Sequence, residues 1–554
     1  MSDKFINWDD DIIIDGNCLP ADRLDRAKYA EFLTGMLASQ GYFNAPDGTQ
    51  KKRNYVLNLN SEWGSGKTYF LRRWENSLKG RYPVVYIDAW KQDYSDDPLV
   101  TVITSIITQL REQAGRDEKD PMFSVPSKVV GLLKAAAPGL VRGLAKRYLD
   151  IDPVAVMNAE DGNNLPEIPN PSDPSGEPVD MSIAASQMVK HLLDEHSAKE
   201  KAIESLKTSV KQWVEAVVGL SEGTITYPAF IFVDELDRCR PSYAVEMLET
   251  IKHIFDLDGV VFVVATDTEQ LQHTIKALYG NDFGARTYLG RFFNSRYTLR
   301  EPSYSKLLDA HCDVSKLTNE YLLDCKGVTG WPNNGFHDES GDGLQNLISV
   351  YEAMRLSARQ VIQITERLIA TFDSLPDGIF IDVIYLSFLL CLQEKHPHIF
   401  ESSKTHSLGG FSGENSTTRQ MDEELSTSSY WRSRMVTIHL NPRLHMPNIS
   451  IDSRTTQENV WNEGYREVQL AQYIQICHAH VSSSSSSNAQ LRSLALNNLA
   501  QASRNKSQFN PEGNVPDWLN VIYGDLNLKL GIGISFYADL VELASALDHL
   551  EDEE

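Results

Sequence analysis

Apolar residues fall along this chain in two rhythms. Short unbroken runs, Tyr55-Val56-Leu57-Asn58-Leu59, Val84-Val85-Tyr86-Ile87, Phe230-Ile231-Phe232-Val233 and Val260-Val261-Phe262-Val263-Val264, have the length and branched content of strands buried on both faces. A shorter segment near Arg296 to Leu299 reads as a fifth strand. Between these runs the spacing changes to threes and fours. Leu24, Ala27, Ala30, Phe32, Leu33 and Leu37 keep it from Ala21 onward, and 68–78 reads as helical. Leu99, Val102, Ile103, Ile106, Ile107 and Leu110 keep it after Pro98, and Ala244, Leu248, Ile251 and Phe255 keep it over 243–255. Alternation of strand and helix predicts an α/β fold with a parallel sheet between helical layers. Asp15-Gly16-Asn17, after Ile12-Ile13-Ile14, reads as a turn.

Residues 111–222 interrupt the alternation with an insert of unusual length. It contains an apolar and basic stretch at 129–148, an acidic, proline-rich linker at 151–180, and a long amphipathic region at 183–220 with Ile203, Leu206, Val210, Trp213, Val214 and Val217 at helical spacing. Beyond residue 300, 303–325, 344–356, 357–372 and 379–394 read as helices. Residues 401–455 show little periodicity, 460–479 and 491–502 read as helical, and 536–550 reads as a final amphipathic helix. The serines at 482–487 suggest a flexible connection by composition. Three regions are expected: a core at 1–300 carrying the insert, a helical lid at 301–400, and a mostly helical interaction domain at 401–554.

Composition adds limits. A chain of 554 residues with 42% hydrophobic content can bury a sizeable core, and a net charge of -24 argues against a surface built wholly for nucleic acid, although a local basic patch is compatible with it. The six cysteines lack pairing or metal-site spacing, which fits a reducing cytosol, and Cys477-His478-Ala479-His480 has no partner cluster. The N-terminus does not read as a signal peptide and no run of apolar residues is long enough to span a bilayer, so a cytoplasmic location is expected.

The chemistry lies at the ends of the strands. Ser61-Glu62-Trp63-Gly64-Ser65-Gly66-Lys67-Thr68 stands between the first strand and a helix, the arrangement of a phosphate-binding P-loop. Gly64 and Gly66 let successive N–H groups face a phosphate, and the helix N-terminus adds its positive end. Trp63, Gly64, Ser65, Gly66, Lys67 and Thr68 are the candidate nucleotide contacts. Lys67 would reach the β- and γ-phosphates and the Thr68 hydroxyl would bind Mg²⁺. Ser61 occupies a position where the motif has its first glycine. Asp234-Glu235, after an apolar strand, reads as a Walker B pair: Asp234 as a Mg²⁺ ligand, mostly through water, and Glu235 as the group that polarises the attacking water. Thr266 and Asp267, at the tip of the fourth strand, are candidates to sense the γ-phosphate or, equally, to cap the helix that follows. The absence of an N-K-x-D motif weakly favours ATP over GTP.

The pieces E-W-G-S-G-K-T, D-A-W with the later D-D-P-L, F-V-D-E-L-D-R-C, V-V-A-T-D and Y-L-G-R-F-F, with D-R-L-D-R-A-K-Y-A upstream, resemble the KAP-type P-loop NTPases, a STAND/AAA+-like group. The resemblance runs from about residue 21 to 370. It implies a sheet of order 5-1-4-3-2, a helical lid, and bound ATP and Mg²⁺. It also implies that Arg359, in Ser357-Ala358-Arg359-Gln360, contacts the γ-phosphate from the lid. Two features depart from the family: the insert carries charges and Pro138 where relatives commonly have a membrane-helix pair, and Gly290-Arg291 replaces a usual glutamate-lysine. Arg291, and less so Arg296, could serve as an arginine finger to a neighbouring subunit or form an ordinary surface ion pair.

These readings imply an ATP-hydrolysing switch or motor subunit, regulating or energising a multi-protein complex such as a bacterial antiphage system, with a homo-oligomer as one possible assembly. The alternative is a nucleotide-bound scaffold that does not hydrolyse. A third reading attaches 129–148 to a membrane surface.

Overall fold

The computed structural model describes residues 5–44, 50–94, 98–117, 120–123, 201, 203–221, 223–253, 256–318, 320–332, 342–404, 431, 433–440, 464–504, 515–530 and 533–546. The apolar-basic stretch at 129–148, the linker at 151–180 and the first part of the amphipathic region therefore lie outside the described residues, as do 405–430 and the chain after 546. The chain divides into two compact units, Met1–Glu301 and Pro302–Glu554.

In the first unit, β1 (Ile12–Ile14) and β2 (Asn17–Leu19) pair antiparallel across a two-residue turn. Asp15 and Gly16 have φ of 52° and 85°, the left-handed geometry that matches the twist of a tight hairpin. The helix expected from Ala21 starts later, as α1 (Ala27–Gly41). The Asp22 carboxylate accepts the N–H groups of Leu24, Arg26 and Ala27 and so holds 22–26 as a turn. β3 (Tyr42–Asn44) and β4 (Gln50–Lys52) make a second antiparallel pair. The core follows: β5 (Tyr55–Asn60), α2 (Lys67–Leu78), β6 (Val84–Asp88), α3 (Pro98–Gln113), a helix α4 over 203–220, β7 (Ala229–Asp234), α5 (Pro241–His253), β8 (Val260–Thr266), α6 (Thr268–Tyr279), α7 (Ala285–Leu289) and β9 (Ser295–Thr298).

The central sheet has five strands in the order β6-β7-β8-β5-β9, every neighbouring pair parallel. Counted from β5 as the first core strand, the order is 5-1-4-3-2. Side chains alternate between the faces, as period two requires. Leu57, Leu59, Phe230, Phe232, Val261 and Val263 pack against Leu33 and Leu37 of α1 and Phe70 and Trp74 of α2. Val56, Ile231, Val233, Phe262 and Val264 pack against α3, α5 and α6. Leu206, Val210, Trp213, Val214 and Val217 of α4 join this second layer, so the 203–217 stripe is a core face. All five loops that follow the strands therefore open at one edge of the sheet, where ligands of such folds bind.

The second unit contains α8 (Tyr304–His311), β10 (Thr329–Trp331), α9 (Asp342–Ala353), α10 (Ala358–Ser374), β11 (Phe380–Asp382), α11 (Val383–Lys395), α12 (Pro397–Ser403), β12 (Met435–Leu440), β13 (Gly464–Gln469), α13 (Leu470–Ser482), α14 (Ser485–Arg504), α15 (Val515–Leu530) and α16 (Ile534–Ser545). One apolar core draws on both 302–400 and 431–544, with α11 buried all round near its middle. Three readings from sequence are corrected. Phe380–Asp382 is a strand paired parallel with β10, not the first turn of a helix. Gly464–Gln469 pairs antiparallel with β12, so the helix expected over 460–479 begins only at Leu470. The serines at 482–487 are the end of α13 and the opening of α14, where the Ser484 hydroxyl accepts the N–H of Ser487. In each case a long-range partner or a cap decided what local composition left undetermined. No helix among the described residues is long and apolar enough to cross a membrane.

Candidate nucleotide site

The loop from β5 to α2 turns on two left-handed glycines, Gly64 (φ 75°) and Gly66 (φ 77°), a conformation that a side chain resists. Ser61, in place of the motif's first glycine, fits because its hydroxyl is used: Ser61 Oγ donates to Ser65 Oγ at 2.6 Å, and Ser65 Oγ donates to the Glu62 carbonyl at 2.6 Å. Lys67 is buried and its Nζ donates to the carbonyls of Ser61 (2.7 Å) and Glu62 (3.1 Å). Trp63 is 47% exposed, and its indole Nε1 donates to Asp237.

Two carboxylates meet the loop from the tip of β7. Asp234 is 0% exposed. It accepts the Tyr86 hydroxyl at 2.9 Å and the N–H of Glu235 at 2.9 Å. Burial, then the charge of Glu235, pushes its carboxyl up to about 7. Glu235 has φ 59°, a strained conformation for a residue with a side chain, of the kind that clusters at functional sites. Its Oε1 accepts the Thr68 hydroxyl at 2.9 Å and its Oε2 faces Arg238 Nε at 2.7 Å. The Arg238 guanidinium in turn lies 5.4 Å from the Trp90 ring. Thr68, Asp234 and Glu235, far apart in sequence, thus form one polar cluster at the sheet edge.

The remaining expected residues divide. Asp267 takes the capping alternative: its side chain accepts the N–H groups of Glu269 and Gln270 and opens α6. Thr266 is buried, and its hydroxyl accepts Asn58 Nδ2 at 2.8 Å. Arg291 is exposed in the turn after α7, and its guanidinium forms no hydrogen bond or ion pair among the described residues. Arg359 is exposed near the start of α10, inside a capping box made by Ser357 and Gln360, and it belongs to the second unit.

Four residues at the site were not singled out from sequence. Asn58 carries the clearest signal, a lone amide in an apolar strand that must find partners when buried. It holds both Thr266 and, through Oδ1, the Thr268 hydroxyl at 3.2 Å. Tyr86 is legible only through register: β6 and β7 pair Asp88 with Asp234, which sets the Tyr86 ring two residues back along the same face. Arg238 and Arg26 stand inside the family pieces D-E-L-D-R-C and D-R-L-D-R-A-K-Y-A, but nothing local in the sequence gives either one a role.

The KAP family P-loop domain is matched over residues 26–310, a little over half of the chain. The match takes in the loop, both acids, the β8 tip and Arg291, and it ends before Arg359. No curated protein matches the chain.

Proposed function

The chain belongs to the KAP family of P-loop NTPases, and from that premise we propose that its N-terminal unit binds ATP with Mg²⁺ and hydrolyses it. The observation that carries the reading is the bond between the Thr68 hydroxyl and the Glu235 carboxylate, because it brings the two halves of a hydrolytic site together across 167 positions of sequence. The donor set fits a divalent cation. An uncharged hydroxyl and the buried Asp234, whose proton affinity is raised beside a second carboxylate, form a pocket that positive charge would relieve. When bound, Mg²⁺ would be held by Thr68 and Asp234 and would offset charge on the phosphate oxygens.

The chain's own groups do the rest. The N–H groups at the start of α2 face the phosphates with the positive end of the helix behind them. Lys67 exchanges the Ser61 and Glu62 carbonyls for phosphate oxygens. Glu235 orients a water and accepts its proton as the bond to the γ-phosphate breaks. Asn58 fixes Thr266 beside the acids, where its hydroxyl senses that phosphate. The family resemblance assigns Arg359 to the γ-phosphate, and Arg291 would act on the site of a neighbouring subunit of a homo-oligomer. Hydrolysis then drives a switch that regulates or energises a multi-protein complex, with antiphage defence the biological setting that the family resemblance favours.

Steady-state ATP turnover of wild type and Glu235→Gln, with MgADP binding measured on both, tests the reading. The expected result is retained binding and turnover lower by about 10² to 10³. Equal background turnover in both overturns hydrolysis. Failure of the wild type to bind MgADP overturns nucleotide recognition itself. Mixing Arg291→Ala with Lys67→Ala subunits restores turnover if Arg291 acts in trans. A second reading, a nucleotide-bound scaffold, is favoured by one observation: both Glu235 oxygens are taken, by Thr68 and by Arg238.

A further inference from the structure

Arg26 closes the loop from behind. Arg26 is 3% exposed, a rare environment for a guanidinium, and the nearby Asp22 carboxylate favours its charge. Nη1 donates to the Gly66 carbonyl at 3.1 Å and Nη2 to the Ser65 carbonyl at 2.5 Å. The main chain that carries it is fixed by Asp22, which accepts the N–H groups of Arg26 and Ala27. The contact is close: a Cβ on Gly66 would stand 2.8 Å from Arg26 Nη1 and displace the guanidinium, at a position where φ of 77° already favours glycine.

The consequence follows from peptide planarity. In a trans peptide the C=O of one residue and the N–H of the next share a plane and point in opposite directions. A guanidinium that holds the carbonyls of Ser65 and Gly66 on one side therefore turns the N–H groups of Gly66 and Lys67 to the other side. That side is the concavity of the loop, at the positive end of α2. The Gly66 carbonyl has a second determinant, the first helical bond from Phe70 N at 3.1 Å, whereas the Ser65 carbonyl is set by the arginine. The fork geometry of Arg matters here, since one planar group serves two acceptors and stays charged although burial opposes its charge.

We infer that Arg26 is a positioning residue for phosphate recognition: it orients the two loop amides that meet the β-phosphate and adds its charge behind them. The inference rests on the nucleotide-binding reading above and names how that site is kept ready. A scaffold role, in which Arg26 merely ties the start of α1 to α2, would lower stability without favouring one nucleotide over another.

Calorimetric affinities of the full chain for MgADP and for AMP separate these roles, because AMP lacks the phosphate that the two amides would bind. Arg26→Gln is expected to weaken ADP about tenfold while AMP changes less than about twofold, with Arg26→Lys between wild type and Gln because lysine keeps the charge but lacks the planar fork that matches both carbonyls. Unchanged ADP affinity overturns the inference, and so does an equal loss for ADP and AMP accompanied by a lower Tm without nucleotide. Should Arg26→Gln fail to fold, Arg26→Lys carries the same comparison, with a smaller loss expected for ADP and none for AMP. If wild type binds no ADP, the functional reading fails rather than this one.

Discussion

Asp234 and Asp382 are both wholly buried acids at or beside the end of a strand, and burial is the first cause of a raised pKa in each, to about 7 and about 6. Their surroundings differ. Asp234 in the first unit has the Tyr86 phenol, the Thr68 hydroxyl and one backbone N–H, and its neighbour is a second carboxylate. Asp382 in the second unit accepts the hydroxyls of Tyr473 and Tyr523, the Cys477 thiol at 3.5 Å and the N–H of Tyr385, while its own N–H donates to the Tyr537 hydroxyl at 2.9 Å. The network reaches His478, whose Nδ1 lies 2.7 Å from the Tyr385 hydroxyl, and Trp331, whose indole donates to Tyr523 at 3.1 Å. A carboxylate surrounded by donors pins β11, α11, α13 and α15 together. A carboxylate left beside another carboxylate asks for a cation. The same residue type, equally buried, is structural in one unit and, in the proposed function, a cation ligand in the other.

The largest test of that contrast is Asp234→Asn. Turnover of ATP is expected to fall by about 10² to 10³, while Tm without nucleotide rises, because a buried like-charge contact is removed. Asp382→Asn is expected to leave kcat of the folded protein unchanged. A loss of turnover with Asp382→Asn that matches Asp234→Asn would break the comparison.

Asp382→Ala comes next. It leaves two phenols and a thiol without their acceptor in a dry core, and unfolding free energy should fall by about 3 kcal/mol or more, read from urea denaturation. A cost under about 1 kcal/mol would mean that the tyrosines satisfy one another, as the Tyr523–Tyr473 bond at 2.9 Å would allow.

These two acids also mark what the sequence made legible. Asp234-Glu235 stands at the end of a four-residue apolar run with a P-loop upstream, so its strand and its proposed chemistry are both local signals. Both helical layers follow from the same periodicity, whereas the sheet order follows only from the family resemblance. Asp382 follows an Ile in a stretch read as helix, and the phenols and thiol around it come from residues 91 to 155 positions away. Nothing local marks it, and the histidines of the Cys477–His480 stretch belong to this core rather than to any surface cluster. Arg26 and Tyr86 were missed for the same reason: each acts through a partner that only the fold supplies.

The pH dependence of the second unit gives a smaller effect. Asp382 binds its proton more tightly folded than unfolded, so its protonation stabilises the fold below about pH 4 and that contribution is lost as pH rises through about 6. The groups around it are phenols and a thiol pushed up by burial, neutral throughout this range, and His480, which stacks on Tyr523 and is pushed down by burial. A buried neutral histidine destabilises toward acid, the opposite sign, so the total profile mixes the two. The difference between wild type and Asp382→Asn isolates the carboxylate. Wild type should gain on the order of 1–3 kcal/mol relative to the variant between pH 7 and pH 4. A constant difference across that range would show that Asp382 keeps one protonation state.

Asp267 puts a third acid between the two cases, close to the chemistry yet engaged as a cap. Its carboxylate accepts the N–H groups of Glu269 and Gln270, so both donors lose a partner in Asp267→Ala, and α6 should lose about 1 kcal/mol. Asp267→Ser keeps a capping oxygen and removes the charge. If Asp267 belongs with Asp382, the serine variant restores stability and leaves turnover at the wild-type level, whereas alanine lowers Tm slightly and kcat little. If it belongs with Asp234, serine restores stability but not turnover, because a sensor depends on what it presents to the phosphate rather than on the helix it opens. The Asn58 amide supplies the reason to expect the first outcome: it fixes Thr266 and Thr268 on either side of Asp267, so the polar tip of β8 is held in place without that carboxylate.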